Sequence, residues 1–263
     1  MYNNLLNCAK DSALKAGEIL KDGFGTIFEI RNKEGKNNLV TEFDLKAEKI
    51  IIDNIKSKFS NHSFLAEESG KSGVKSFSNP ENIRWIIDPL DGTVNYAHNL
   101  PIFSVSIAAE LNGEIICGVI YQPILNELFY ATKGSGAFKN DKQIKVSKNT
   151  DIDTAFMVTG FPYNAYSNPG KCIDQFCTVL GKGIPVRRLG SAAMDLAYVA
   201  SGVFDGFWEV SLKPWDVAAG LLLVKEAGGQ ISHYDGKRHT FDNESIVASN
   251  GLLHKDILKL IKI

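Results

Sequence analysis

Apolar residues recur at helical spacing through Leu5, Leu6, Ala9, Ala13, Ala16, Ile19 and Leu20, which predicts an amphipathic helix ending near Gly23. A short strand is expected over 27–30. The polar run R-N-K-E-G-K-N-N at 31–38 then reads as an exposed, mobile loop. From residue 42 to 59 the apolar positions Ala47, Ile50, Ile51, Ile55 and Phe59 predict a second helix, and H-S-F-L-A predicts a strand ending at Glu67 and Glu68. Ile83, Trp85, Ile86 and Ile87 form a β-prone run. Pro89 lacks a backbone donor and pushes Asp88 toward extended dihedrals, so this strand is expected to end at Asp88. Strands over 105–111 and 115–121 are joined by Asn112-Gly113, a strong hairpin signal, and further strand material with turns at Gly134 and Gly136 reaches about residue 146.

Beyond 146 the pattern alternates. Strand-like F-M-V-T-G precedes a helix over 172–180; strand-like P-V-R-R-L precedes a helix over 192–200; strand-like G-F-W-E-V precedes a helix over 216–227. The expected fold class is therefore mixed, with an antiparallel α+β half (1–146) followed by an α/β half (147–263). No Pro- or Ser-rich stretch separates them, so the halves are expected to share an interface as one compact unit. No repeat of domain-building length is present.

The chain has 263 residues, enough for a substantial core, and 29 Lys plus Arg against 30 Asp plus Glu give a net charge of −1. That balance argues against a generic nucleic-acid coat or membrane-surface binder, so anion binding has to come from local sites. Cys8, Cys117, Cys172 and Cys177 form no C-x-x-C pair and are apolar-flanked, which reads as buried free thiols in a reducing compartment. No apolar run approaches the length of a membrane span, and M-Y-N-N-L-L-N-C-A-K-D has no basic region followed by an apolar block, so a cytoplasmic protein that does not enter a membrane is expected.

The candidate chemistry centres on W-I-I-D-P-L-D-G-T-V-N at 85–95. Asp88 and Asp91 flank a turn with the Leu90 carbonyl between them, three hard oxygens that suit Mg²⁺; Gly92 admits close backbone approach, and Thr93 opens a short helix whose free N–H groups face an anion. A plain turn accounts for Asp, Pro and Gly equally well. Three other segments are candidates to converge on it. In L-A-E-E-S-G, Glu67 or Glu68 leaves a strand end, as a ligand or as a solvated loop acid. In L-V-T-E-F-D, Asp44 fits a capping box with Thr41 as well as a catalytic group. In K-P-W-D-V-A-A-G, ordinary helix-start preferences also explain Pro214 and Asp216.

Together L-V-T-E-F-D (39–44), E-E-S (67–69), W-I-I-D-P-L-D-G-T-V-N (85–95), R-R-L-G-S-A-A-M-D-L-A (187–197) and W-E-V-S-L-K-P-W-D-V-A-A-G (208–220) fall in order along nearly the whole chain. In this the chain resembles the inositol monophosphatase family of Mg²⁺-dependent phosphomonoesterases, in particular its bacterial branch. The resemblance implies a layered αβαβα sugar-phosphatase fold and two or three Mg²⁺ ions. Glu67, Asp88 and the Leu90 carbonyl match ligands of the first ion, Asp88, Asp91 and Asp216 those of the second, and Glu67 that of a looser third. Thr93 and Asp44 match a pair that orients and deprotonates a water, with Gly92 and Thr93 amides holding phosphate. Ala192 and Glu209 match positions that meet substrate hydroxyls. Lys33 matches a loop lysine near the phosphate, with Lys36 close by, and Asn38 stands where an aspartate is common. His98 reads as structural.

The implied reaction is hydrolysis of a small polyol or sugar phosphate, inositol 1-phosphate first, by metal-activated water without a covalent intermediate. Lithium sensitivity and a homodimer are implied too. Relatives act on fructose 1,6-bisphosphate, NADP, histidinol phosphate or 3′-phosphoadenosine 5′-phosphate; Asn95-Tyr96 stands nearer the inositol and fructose phosphatases. A rival from another class is a regulatory role in which Arg187 and Arg188 bind RNA or an acidic partner; solvated or bridged arginines explain the pair as well.

Overall fold

The computed structural model describes residues 2–32, 38–73, 83–241 and 244–262. Helix α1 (Tyr2–Gly23) precedes β1 (Ile30–Asn32) and β2 (Leu39–Thr41), a short antiparallel pair. Then come α2 (Glu42–Lys58), β3 (Ser63–Ala66), β4 (Gly70–Gly73), β5 (Ile83–Asp91) and α3 (Thr93–Ala97). A meander follows through β6 (Ser104–Leu111), β7 (Glu114–Gln122), β8 (Glu127–Thr132), β9 (Ala137–Lys139) and β10 (Lys142–Ile144). The remainder comprises β11 (Met157–Thr159), α4 (Cys172–Gly181), β12 (Val186–Arg187), α5 (Ala192–Ala200), β13 (Gly206–Val210), α6 (Pro214–Glu226), β14 (Gln230–Ser232), β15 (Ser245–Ser249) and α7 (His254–Leu260).

Eight strands form one sheet in the order β10-β9-β8-β7-β6-β5-β3-β4, antiparallel except for the β3–β5 pair; five form a second, β12-β11-β13-β15-β14. Side-chain alternation along the central strands supplies two cores. Trp85, Ile87, Ile107 and Val119 face Leu5, Ala9, Ala13, Ile51 and Ile55 of α1 and α2, whereas Ile86, Ala108 and Ile120 face Leu196, Leu222 and Leu223 of α5 and α6. The opposite side of α5 and α6 meets Phe207 and Ala248 of the small sheet, whose far face packs Trp208 and Val247 against Val179 of α4 and Ile257 of α7. The layers are thus helix, sheet, helix, sheet, helix. Helix α6 lies between two sheets, and its run Val217, Ala218, Ala219, Gly220, Leu222, Leu223 and Val224 is accordingly buried almost all round.

Several expectations need correction. Ile27 is fully exposed and the strand begins at Ile30, so Arg31 belongs to β1 rather than to the expected loop. Lys33 and Lys36 lie outside the described residues. Strand β5 does not stop at Asp88: it continues through Pro89 to Asp91, with one extra residue where Asp88 pairs Ser106 and Asp91 pairs Ser104. Pro89 is tolerated because a bulge leaves a residue out of the ladder. The second half is not purely alternating, since β13, β15 and β14 pair antiparallel. Cys8, Cys117 and Cys172 are buried, but Cys177 is exposed on α4. The Asn112-Gly113 hairpin closes as expected, Leu111 pairing Glu114 and both loop residues in the left-handed region. Among the described residues no helix is long and apolar enough to cross a membrane.

The seam between the large sheet and α6 is tight at Gly118, where a Cβ would stand 2.9 Å from the Ala219 carbonyl oxygen and 3.0 Å from its Cα. Both atoms are backbone and cannot turn aside. Gly118→Val is expected to destabilise the fold by about 2–3 kcal/mol through overpacking, read as a lowered denaturant midpoint; an unchanged midpoint would show that α6 is free to lift from β7.

Candidate active site

Two strand ends place the first acids. Strand β3 runs parallel to β5 with Ala66 opposite Ile87, and the Glu67 N–H donates to the Ile87 carbonyl at 3.1 Å, so Glu67 leaves the sheet beside Asp88. Residues three apart on a regular strand face opposite sides; the bulge between Asp88 and Asp91 removes that mismatch, and both line one cavity. Of the Glu67/Glu68 pair, Glu67 lines the cavity, whereas the Glu68 and Ser69 N–H groups donate to the buried Glu48 carboxylate of α2. Glu48 pins the turn that carries Glu67. Sequence reasoning missed it, though its acidic side chain on the apolar face of a helix was a signal.

Beyond β5 the chain turns at Gly92, with φ +97°, where a Cβ would also stand 3.0 Å from the Ile102 carbonyl oxygen. Thr93 follows at the start of α3. Its Oγ1 lies 3.0 Å from Asp44 Oδ1 and 3.0 Å from the Leu90 carbonyl, so its one proton has two acceptors. The other oxygen of Asp44 accepts from the Thr41 N–H at 2.7 Å and hydroxyl at 2.6 Å. The capping box and the Thr93 contact, which the sequence left as alternatives, are made by the same carboxylate. Burial pushes the Asp44 carboxyl up to about 6, opposed by the Thr41 hydrogen bonds and aided by the charge of Glu67.

The second half supplies the opposite wall. Asp91 Oδ2 accepts from Ser191 Oγ and from the Ala193 N–H, each at 2.7 Å, tying β5 to the first turn of α5. Ser191 also caps that helix through Met194 N–H, and Asn95 Nδ2 donates to the Leu189 carbonyl at 2.8 Å. Asp216 sits in the first turn of α6, its Oδ2 accepting from the Lys213 N–H at 2.7 Å. Glu209 on β13 and Ala192 at the start of α5 line the same cavity, as do Asn38 and Arg188. His98 is exposed and does not line it. Of the expected site residues that are described, all but Asp44 line the cavity, and Asp44 reaches it through Thr93; Lys33 lies outside the described residues.

The cavity measures about 600 Å³. Several of its carboxyls are raised, burial being the largest cause for each. Burial lifts Asp88 well above the usual range, followed by the charges of Glu67, Asp91 and Asp216; burial and then Asp91 do the same to Asp216, and burial then Asp216 to Glu209. Asp91 is pushed up to about 6 by burial, restrained by its Ser191 and Ala193 hydrogen bonds. Among the described residues no three acids, histidines or cysteines stand close enough together to hold an ion as they are placed. Asp88, Asp91 and Asp216 instead each commit one oxygen to a protein donor and face a shared space. Hard oxygen donors and more acids than the two cations, Arg188 and Lys213, that line the cavity among the described residues fit a divalent cation such as Mg²⁺. One further acid was missed by the sequence reading: Asp195 on α5 is 1% exposed, lines the cavity, and has no hydrogen-bond partner for either oxygen among the described residues.

Residues 1–263 match the model of the inositol monophosphatase family. The chain is 41% identical over 259 residues to an inositol-1-monophosphatase of Mesorhizobium japonicum, covering 98% of this chain and 96% of that one. It is 40% identical over 255 residues to the Nus factor SuhB of Escherichia coli, covering 97% and 94%. The crystal structure of the extragenic suppressor protein suhB from Bartonella henselae superposes with a TM-score of 0.92 at 38% identity, covering 98% of each chain.

Acids whose folded pKa lies above the unfolded value favour the fold while protonated, and that contribution is lost as pH rises from the unfolded toward the folded pKa. For Asp44 and Asp91 the window runs from the ordinary carboxyl value of 3.8 to about 6. In a chelating buffer the denaturant midpoint is therefore expected to fall from about pH 4 to about pH 6; a midpoint that rises across that window would contradict the assigned burial of these carboxyls.

Proposed function

The chain belongs to the inositol monophosphatase family of phosphoric monoester hydrolases, and from that premise we propose that it hydrolyses a small polyol or sugar phosphate, inositol 1-phosphate first, in a Mg²⁺-dependent reaction without a covalent intermediate. The observation that carries this reading is the Thr93–Asp44 hydrogen bond opening onto the cavity shared by Glu67, Asp88, Asp91 and Asp216. In the proposed assignment Glu67, Asp88 and the Leu90 carbonyl hold one ion and Asp88, Asp91 and Asp216 a second, with Glu67 serving a third when present. Bound Mg²⁺ supplies neutralisation of the phosphate oxygens and of the departing alkoxide, and makes water acidic enough to react near neutral pH.

The chain's own residues do the rest. Thr93 Oγ1 donates to Asp44 Oδ1 and so turns a lone pair toward the cavity, where it accepts the proton of an approaching water. Asp44, raised to about 6, is a base suited to pH near 7 and receives that proton through Thr93. The Gly92 and Thr93 amides hold the phosphate, both residues lining the cavity. Ala192 and Glu209 face the alcohol. A homodimer, cytoplasmic location and sensitivity to lithium belong to the same reading through the family. A second role in binding RNA or protein, which the Nus factor name of some relatives suggests, has one feature in its favour: β12 is an edge strand with Arg187 and Arg188 exposed. Against it, Arg187 stands 5.0 Å over the Phe156 ring and donates to the Val186 carbonyl, a local use of its charge.

Asp88→Asn and Asp216→Asn are each expected to lower Mg²⁺-dependent phosphate release from inositol 1-phosphate by at least about a hundredfold, with circular dichroism unchanged; full turnover in either variant would remove the assignment. Millimolar Li⁺ is expected to inhibit the native chain in the same assay, and insensitivity would separate it from the lithium-sensitive branch.

A further inference from the structure

Asp195 is the one charged residue of α5, whose neighbours Ala192, Ala193, Met194, Leu196 and Ala197 are all buried. An acid near a helix N-terminus is favoured by the dipole, but an exposed one satisfies that preference equally. Asp195 is instead 1% exposed, and neither carboxyl oxygen meets a donor among the described residues. Leaving a buried polar group without a partner destabilises a fold. A group held at that cost in the wall of a cavity is accounted for when a ligand completes its hydrogen bonding.

Its position says which part of a ligand. Asp195 lies three residues after Ala192, on the same face of α5 and one turn further along. Ala192, with only a methyl group, lines the same cavity. Glu209 on β13 is the charge that acts most strongly on Asp195, ahead of Asp91, while Arg188 opposes both. The two acids therefore stand on neighbouring elements at the wall facing the alcohol side of the site, on α5 and β13.

We propose that Asp195 is a specificity-determining residue that hydrogen-bonds a hydroxyl of the substrate alcohol beside the one met by Glu209, selecting phosphate monoesters of polyols with two or more free hydroxyl groups. The inference rests on the phosphatase reading above. A polyol hydroxyl both donates and accepts, so it completes an acid's hydrogen bonding in either protonation state. Esters of simple alkyl or aryl alcohols leave Asp195 unpartnered and gain nothing from it.

The test compares inositol 1-phosphate with para-nitrophenyl phosphate, which has no hydroxyl groups, at saturating Mg²⁺ for the native chain, Asp195→Leu and Asp195→Ala. The ratio of kcat/KM for the polyol ester to that for the aryl ester is expected to fall about tenfold in both variants, the loss of one hydrogen bond to a buried polar group, and to fall through KM rather than kcat. The Tm of Asp195→Leu is expected to equal or exceed that of the native chain, because an unpartnered buried acid has been removed; a purely structural role would lower it. If the leucine chain does not fold, Asp195→Ala carries the same expectation. A ratio within about twofold of native, or equal losses on both esters with a lowered Tm, would overturn the inference while leaving the phosphatase reading intact. Absence of phosphate release from either ester by the native chain would remove both.

Discussion

Burial of like charges is the constraint on which the rest of this structure depends. Asp88, Asp91 and Asp216 are withdrawn from water, and that burial raises the pKa of each, with the charge of Glu67 adding to all three. Such a group stands only if the framework holds each carboxylate in place by its backbone or by one oxygen. The bulge in β5, the tie between Glu67 N–H and Ile87, the caps of α2 and α6, and the Ser191 and Ala193 donors to Asp91 are those supports. Each satisfies ordinary backbone or helix-end requirements at the same time. The site is therefore built from caps and strand ends rather than added to them.

The same supports join the two halves of the chain. Asp91 leaves the large sheet and is held by α5; Asp216 rides on α6, which rests on β7 at backbone contact through Gly118. A shift of α6 relative to the large sheet would move Asp216 away from Asp88, so packing at the seam sets the spacing of the acids. The opposite wall of the cavity is formed by Glu209 of β13 with Ala192 and Asp195 of α5.

Much of the architecture was legible because local periodicity and burial agree. The apolar stripe of α1 and the Asn112-Gly113 turn appear as the pattern predicts. The strand end at Asp88 misled for a physical reason: Pro89 forbids a ladder donor, and a bulge, which periodicity cannot reveal, makes that donor unnecessary. The short β14 and β15 and the helix α7 carry too few residues for a periodic signal. Motif spacing marked Asp44 and Asp216 but could not separate capping from chemistry, because each carboxylate has two oxygens and the geometry commits them differently. Asp195 was invisible as a site residue, since only its burial without partners distinguishes it from a helix-start acid.

The most direct test of the central claim is calorimetric titration of Mg²⁺ into chelator-treated protein in buffers of differing ionisation enthalpy, which counts the protons released per ion bound. Raised carboxyl pKa values predict measurable proton release at pH 6, larger than at pH 8, because the ion replaces protons held by the buried acids. Absence of Mg²⁺ binding, or binding at pH 6 with no proton released, would contradict the account.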